Sequence, residues 1–457
     1  LNTAAVDLSI AGRLVVGEEP PFRGEVLIRG GKISELRRGA PVAGGAERRI
    51  DVGDAYLLPG AVDCHVHSSS HPGEGIAALT RSAAAGGVTT VIDMPYDAAA
   101  PVSSAELLAE KREIVTREAL VDVALLATVR PGSGAADVAR LVEAGAAGFK
   151  LSLFCTDPRR FPRIGDLQFL EVLAAIREAG SLALVHAENE EIIKPLIERA
   201  RQRGDASPLA HCRSRPPVSE TQAVLTALEY ARQTGARLHL CHLSLPRSVD
   251  LAARYRAEGT SVSTETCPHY LFFSEDDMST EGGRLKINPP LRIGSEVGGL
   301  TDRLLAGSID VVASDHAPWP LVEKERPNIF DNHSGAPGVE TLLSVLATAV
   351  SSAGGSPNDV ARLTSSAPAE IFGLSSRKGS LERGKDGDVV ALDFSSAFTL
   401  DEQRLHSNAG WSPYHGKVLR GRVLLAVSRG EVVYDGEKLV ATAPRGRLLT
   451  AGAPASV

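Results

Sequence analysis

Aromatic residues make up only 4% of this 457-residue chain, and its five cysteines are scattered without a single Cys-x-x-Cys pair. An odd, dispersed set of thiols argues against a disulfide framework or a cysteine zinc cluster and fits a reducing cytoplasm. Long apolar runs are missing too. With no stretch of about 18 apolar residues, and no cationic start leading into an apolar segment within residues 1–20, neither membrane spanning nor secretion is expected. The chain also lacks any block of basic residues. A net charge of −7 argues against nucleic acid or an acidic membrane as partner, which leaves a small molecule as the expected one. What is plentiful is small and apolar: 43% of residues are hydrophobic and 44 are glycine, a composition suited to helices packed closely on a sheet. The length implies one large domain with a smaller companion.

The first segment reads as short strands, Asp7 to Ile10, Arg13 to Val16 and a run from Glu25 whose Gly30-Gly31 marks a hairpin turn. Similar strands return late, around 387–393 and 421–434, so the two ends are expected to pair into one small β-domain. Between them, strand-length apolar runs alternate with helical stretches such as Leu167 to Glu178 and Glu220 to Thr234. The strand candidates are 61–67, 89–94, 122–127, 148–154, 182–186, 237–243, 261–266 and 310–314. Alternation of this length implies parallel strands with crossover helices. Eight units imply an α/β fold of the closed (β/α)8, TIM-like class, with its chemistry at the C-terminal strand ends. The expected division is 1–56 and 379–440 for the β-domain, 57–378 for the barrel and 441–457 for a loosely held tail.

The polar residues that interrupt these runs fall at strand ends. His65 and His67 close the first strand, and residues two apart on a strand point the same way, so both imidazoles can reach one ion. Lys150 lies in the fourth strand, His186 ends the fifth, His242 the sixth and Asp315 the eighth. Singly, each has a bland reading as a capping or solvated group; their joint placement at one barrel mouth favours a metal site. A charged Lys150 between Phe149 and Leu151 would be costly to bury and would repel a cation. Carboxylation by carbon dioxide would instead make it an anionic bridge between two divalent metals. Four imidazoles, a carbamate and an aspartate suit zinc, with manganese or cobalt as alternatives.

These residues sit in a series of motifs: Pro59-Gly-Ala-Val-Asp-Cys-His-Val-His67, Gly86-Gly-Val-Thr-Thr-Val-Ile-Asp-Met-Pro95, Gly148-Phe-Lys150, Val185-His-Ala-Glu188, His242-Leu-Ser244, Glu265-Thr-Cys-Pro-His-Tyr270, Lys286-Ile-Asn-Pro-Pro-Leu-Arg292 and Ser314-Asp-His-Ala-Pro318. In order and spacing the chain resembles the cyclic amidohydrolases of the amidohydrolase superfamily, over nearly its whole length. The resemblance implies a barrel with a β-sandwich built from both termini, a binuclear centre and a homo-oligomer, dimer or tetramer. His65, His67 and Asp315 would hold one metal, His186 and His242 the other, and N6-carboxylated Lys150 both. A hydroxide bridging the metals would attack a cyclic amide, with Asp315 as general base and then acid.

The loops bear on the substrate. Dihydroorotases of this family carry Arg and Asn where this chain has Ser69 and Tyr96, which removes the cationic anchor for a substrate carboxylate. Dihydropyrimidinases place a Tyr where this chain has Cys155; by these matching positions Ser69, Tyr96 and Cys155 are expected to face the substrate. The Trp411-Ser-Pro-Tyr-His-Gly416 stretch resembles allantoinases and L-hydantoinases, so ring opening of allantoin or a 5-substituted hydantoin is expected. Asn288, Ser334 and Gly335 match positions that read the ring amide. Dihydropyrimidinase or dihydroorotase activity is the alternative, as is a metal-free scaffold; a mononuclear deaminase would not need Lys150. His239 and His269 are expected to satisfy local hydrogen bonds, His71 and His333 to lie at the mouth, Cys64 and Cys241 to fill the core, and Glu188 to begin a helix.

Overall fold

The computed structural model describes residues 6–40, 45–441 and 443–450. Eight parallel strands follow one another around a barrel: Ala61–Val66, Val88–Asp93, Asp122–Leu125, Phe149–Ser152, Leu182–His186, Arg237–Leu240, Val262–Thr266 and Val311–Val312. Neighbours pair in sequence order, with Ala127 bridging to Phe149 between the third and fourth strands. A parallel bridge from Val66 to His316 closes the ring. The first two strands are buried on both faces, which is why they read as continuous apolar runs without alternation. Helices such as Asp166–Glu178 and Pro217–Thr234 cover the outside. Among the described residues no helix is long and apolar enough to cross a membrane.

The second unit draws on both ends of the chain. Seven strands run in one hydrogen-bonded order: Glu431–Tyr434, Arg422–Ser428, Val389–Asp393, Ala46–Pro59, Val6–Leu14, Phe22–Arg29 and Lys32–Arg38. Ile10, Val26, Ile28, Leu57, Val389 and Val427 form its own apolar core. The hairpin expected at Gly30-Gly31 is present, joining Phe22–Arg29 to Lys32–Arg38. Two strands expected at 7–10 and 13–16 are one, Val6–Leu14. Gly12 lies between them, where a Cβ would come within 2.8 Å of Leu57, so its bare backbone lets the strand carrying Leu57 pass close at the point where their parallel register shifts, between Ala11 and Arg13.

The expected loose tail needs correction. Leu448–Leu449 pairs in parallel with Val123 and Ala124, beside the third barrel strand, because that strand's lower edge is left free by its short pairing with the fourth. Residues 442 and 451–457 of the same expectation lie outside the described residues.

A buried charge cluster fastens the sheet to the barrel. Lys378 Nζ lies 2.7 Å from Asp122, 2.6 Å from Asp388 and 3.1 Å from Asp386, so one cation joins a barrel strand to the segment entering the sheet. Burial opposes its charge, but the three carboxylates hold its pKa above the ordinary lysine value. Lys378→Met would take the cation from Asp388 and one of the cations from Asp122 and Asp386, which keep Arg429 and Arg377, at a cost of about 3–5 kcal/mol. A urea midpoint well below that of the wild type is the expected outcome; an unchanged midpoint would remove the cluster from the fold's stability.

Candidate metal centre and substrate cavity

The chain leaves two barrel strands through left-handed backbone, at His242 (φ 39°) and Asp315 (φ 48°). Such conformations are uncommon for non-glycine residues and collect at functional sites. They lie at one mouth. Nε2 of His65 and Nε2 of His67 each lie 3.4 Å from the same Asp315 carboxylate oxygen. The donor atoms of these three residues all fall within 4.8 Å of one another. Lys150 Nζ is 3.4 Å from His65 Nε2, and His186 Nδ1 faces His242 Nε2 at 3.1 Å. All six residues line one cavity of about 100 Å³ that opens to solvent.

The far sides of two rings are held by carboxylates. Glu265 accepts from His65 Nδ1 at 2.7 Å, and Glu188 from His186 Nε2 at 2.9 Å. Glu265 also accepts from the His242 amide, contacts His239 Nε2 at 3.2 Å and takes Cys64 Sγ at 3.4 Å. Burial pushes its pKa up, but the two histidines more than reverse this and hold it well below the carboxylate range. Burial, followed by charges that include Lys150, lowers the pKa of His65, His186 and His242, which favours the neutral, ligand-ready imidazole. Asp315 stays ionised: burial raises it, but His65, His67 and His242 outweigh that and hold it well below the usual range.

Glu265 was quoted within a motif but given no role by sequence reasoning. The available signal was a carboxylate inside an otherwise strand-like segment, which must find partners when buried. Strict alternation would send Cys64 away from His65, yet both meet Glu265, because the pairing register shifts between Asp63 and Val66. Glu188 precedes the helix Glu190–Gln202 as expected, but Asn189 is the N-cap and Glu188 is turned inward onto His186. His239 bonds to Ser263 and Glu265, whereas His269 Nε2 has no partner among the described residues.

The substrate-side expectations divide. Asn288, Tyr96, Ser334 and Gly335 line the cavity, and Asn288 Oδ1 is buried there without a hydrogen-bond partner among the described residues. Ser69 and Cys155 do not line it. After His67 the chain turns, Ser68 binds Asp93, Ser69 Oγ meets Ser68 Oγ, and it is Ser70 that faces inward. The Cys155 amide is drawn to Glu190 at 2.6 Å, and its neighbour Thr156 takes the cavity position. His333 lines the cavity, stacked on Trp319 at 3.9 Å; His71 stays outside it, edge-on to Trp319.

Sequence reasoning missed Arg160, Phe161 and Trp319. Phe161 packs on Tyr96 with ring centroids 3.7 Å apart, and Tyr96 hydroxyl donates to the Lys150 carbonyl. Arg160 Nη1 donates to the Ser70 carbonyl at 3.1 Å, with its guanidinium 5.3 Å from the Trp319 ring. Trp319, four residues beyond Asp315, was within reach of the strand-end argument; nothing in the Asp157-Pro-Arg-Arg-Phe161 loop announced Arg160.

Comparison with known proteins agrees with this geometry. The pattern of the amidohydrolase family matches residues 56–427. The chain is 36% identical over 451 residues to an allantoinase of Rubrobacter xylanophilus, covering 98% of each chain. It is 35% identical to an allantoinase of Deinococcus radiodurans, covering 97% of this chain and 99% of that one. Among solved structures it resembles an L-hydantoinase (dihydropyrimidinase) from Arthrobacter aurescens, with a TM-score of 0.93, 30% identity and coverage of 97% and 100%. A barrel with this donor set at its mouth and likeness over its full length together place the chain in the amidohydrolase family, among the cyclic amidohydrolases.

Proposed function

We propose that this enzyme opens the ring of allantoin by hydrolysing a ring amide C–N bond, with two divalent metals, zinc foremost and manganese or cobalt as alternatives, and with Lys150 carboxylated on Nζ. The observation that carries the reading is the unpartnered Asn288 Oδ1, which shares the cavity with the His–Lys–Asp cluster: one carries a recognition group for a ring N–H, the other the reacting groups. The donor set fits two ions. His65, His67 and Asp315 would hold one; His186 and His242, whose facing Nδ1 and Nε2 lie 3.1 Å apart, would hold the second. Lys150 would serve both once its amine has added carbon dioxide and released a proton, which replaces a repelling cation by an anion.

Bound there, the metals supply a nucleophilic water at neutral pH and a polarised amide carbonyl. The remaining work falls to the chain. Asp315 takes the proton of the attacking water and delivers it to the ring nitrogen as the C–N bond breaks. Asn288 accepts from a ring N–H, and Tyr96, Phe161 and Trp319 confine a flat ring. Arg160 offers donors to a polar substituent such as a ureido group, which favours allantoin; the aromatic wall alone would favour a hydantoin with an apolar 5-substituent.

The first test is turnover of allantoin, both enantiomers of 5-substituted hydantoins, dihydrouracil and dihydroorotate by protein reconstituted with zinc or manganese and bicarbonate. Allantoin is expected to have the highest kcat/KM; a hydantoin in first place would replace the allantoin reading, and no turnover of any would overturn it. Lys150→Ala is expected to lose both bound metal and activity; a metal-replete, active variant would refute the bridging carbamate. Glu265→Gln puts an amide donor against groups that themselves donate, and metal affinity should fall about 10–100-fold by chelator competition. Unchanged affinity would mean that Glu265 does not orient the ligands.

A further inference from the structure

Behind the wall that carries Asn288 lies a lysine with no solvent exposure and, among the described residues, no carboxylate partner. Lys324 Nζ donates instead to three backbone carbonyls, those of Lys286 at 2.8 Å, His333 at 2.8 Å and Gly335 at 2.6 Å. An ammonium has three N–H donors, and all three are used. Burial, then repulsion from Lys286, pulls its pKa well below the ordinary lysine value, so the carbonyl cage is what a retained proton depends on. An aliphatic side chain would fill the same space without that desolvation cost.

The three carbonyls come from two separate segments of the cavity wall. Lys286 lies two residues before Asn288, while His333 and Gly335 flank Ser334, and all but Lys286 line the cavity. A direct bond from the Gly335 amide to the Lys286 carbonyl, 2.9 Å, joins the same segments. Lys286 Nζ reaches the Asn332 carbonyl, and Asn332 in turn holds both backbone groups of Arg326. Gly283 packs so closely that a Cβ there would overlap the Lys324 carbonyl. Lys324 itself does not line the cavity.

We infer that Lys324 is a positioning residue for substrate recognition: its ammonium ties Lys286–Asn288 to His333–Gly335, so that the Asn288 side chain and the 334–335 backbone present one fixed edge to the substrate ring. The inference rests on the cyclic-amide reading of the cavity. It separates from the metal centre, since none of the tied groups belongs to the His–Lys–Asp cluster.

The test compares wild type with Lys324→Met, Asn288→Ala and the double variant, all metal-reconstituted. Lys324→Met is expected to keep its metal, hold kcat within about threefold and raise KM about tenfold. In the Asn288→Ala background the same substitution should raise KM by less than about threefold, because the side chain it places is gone and only the 334–335 backbone remains to be displaced. Hydrogen exchange should quicken about tenfold in peptides spanning 284–289 and 330–336, and stay unchanged in those carrying His65, His186 and His242. Additive effects on KM, a fall in kcat with metal loss at constant KM, or unchanged exchange in the two segments would each overturn the inference. If Lys324→Met does not fold, Lys324→Gln carries the same comparisons. A wild type inactive on every cyclic amide refutes the activity reading alone, and the exchange comparison then decides whether Lys324 ties the segments.

Discussion

An ionised carboxylate cut off from water persists only where its surroundings replace the hydrogen bonds that water would give, and Glu265 receives them from His65, His239, Cys64 and the His242 amide. Each of these contacts constrains the site. A carboxylate on Nδ1 of His65 keeps the proton there and leaves Nε2 as the lone-pair nitrogen, on the side of Asp315. Glu188 does the opposite for His186: by holding Nε2 it keeps the proton on that nitrogen and leaves Nδ1 facing His242. Two buried carboxylates thus select two different tautomers, and the lone pairs converge at the barrel mouth. The same bonds fix ring orientation, so the donor set is preorganised by interactions beneath it.

Those carboxylates are themselves embedded. Glu188 lies 3.5 Å from Arg215, whose carbonyl accepts from Arg292, and Arg292 pairs at 3.1 Å with Glu220. Glu220 also binds the Ser244 amide, in the turn that follows His242, and the Ser248 hydroxyl in the helix Pro246–Ala257 after it. The strained backbone at His242 is therefore bracketed by a Glu265 bond on its own amide and a Glu220 bond two residues later. Strain of this kind survives where neighbouring contacts overdetermine the conformation.

The residues that gather at the barrel mouth were legible in the sequence because two strong regularities act on them. Strand alternation makes His65 and His67 neighbours, and parallel closure brings the C-terminal ends of different strands to one rim. Beyond the strand ends neither regularity applies. Ser69 and Cys155 were placed in the cavity by position alone, and the turns that follow His67 and Ser152 rotate them out and bring Ser70 and Thr156 in. Arg160 and Lys324 lie in loops whose shape is set by hydrogen bonds to distant backbone, to Ser70 in one case and to Lys286 and Gly335 in the other. A periodic pattern carries no record of such bonds. The strand at Leu448–Leu449 was hidden for a related reason: two residues are too few to show a period, and only the free edge at Val123–Ala124 makes them a strand.

The absence of an arginine at position 69 counts against a carboxylate-bearing ring only if no other element brings a cation to the cavity, and Arg160 does so from the loop after the fourth strand. Charge therefore does not separate a ureido substituent from a carboxylate here. Arg160 Nη1 already donates to the Ser70 carbonyl, its Nε lies 3.5 Å from Asp157 Oδ2 and its face lies toward Trp319, but a guanidinium has five N–H donors, so donors remain for a substituent. A neutral carbonyl needs only one of them. How the arginine is held thus supports a polar substituent on the ring over an apolar one, which is the choice that separates a ureido-bearing ring from an alkyl hydantoin.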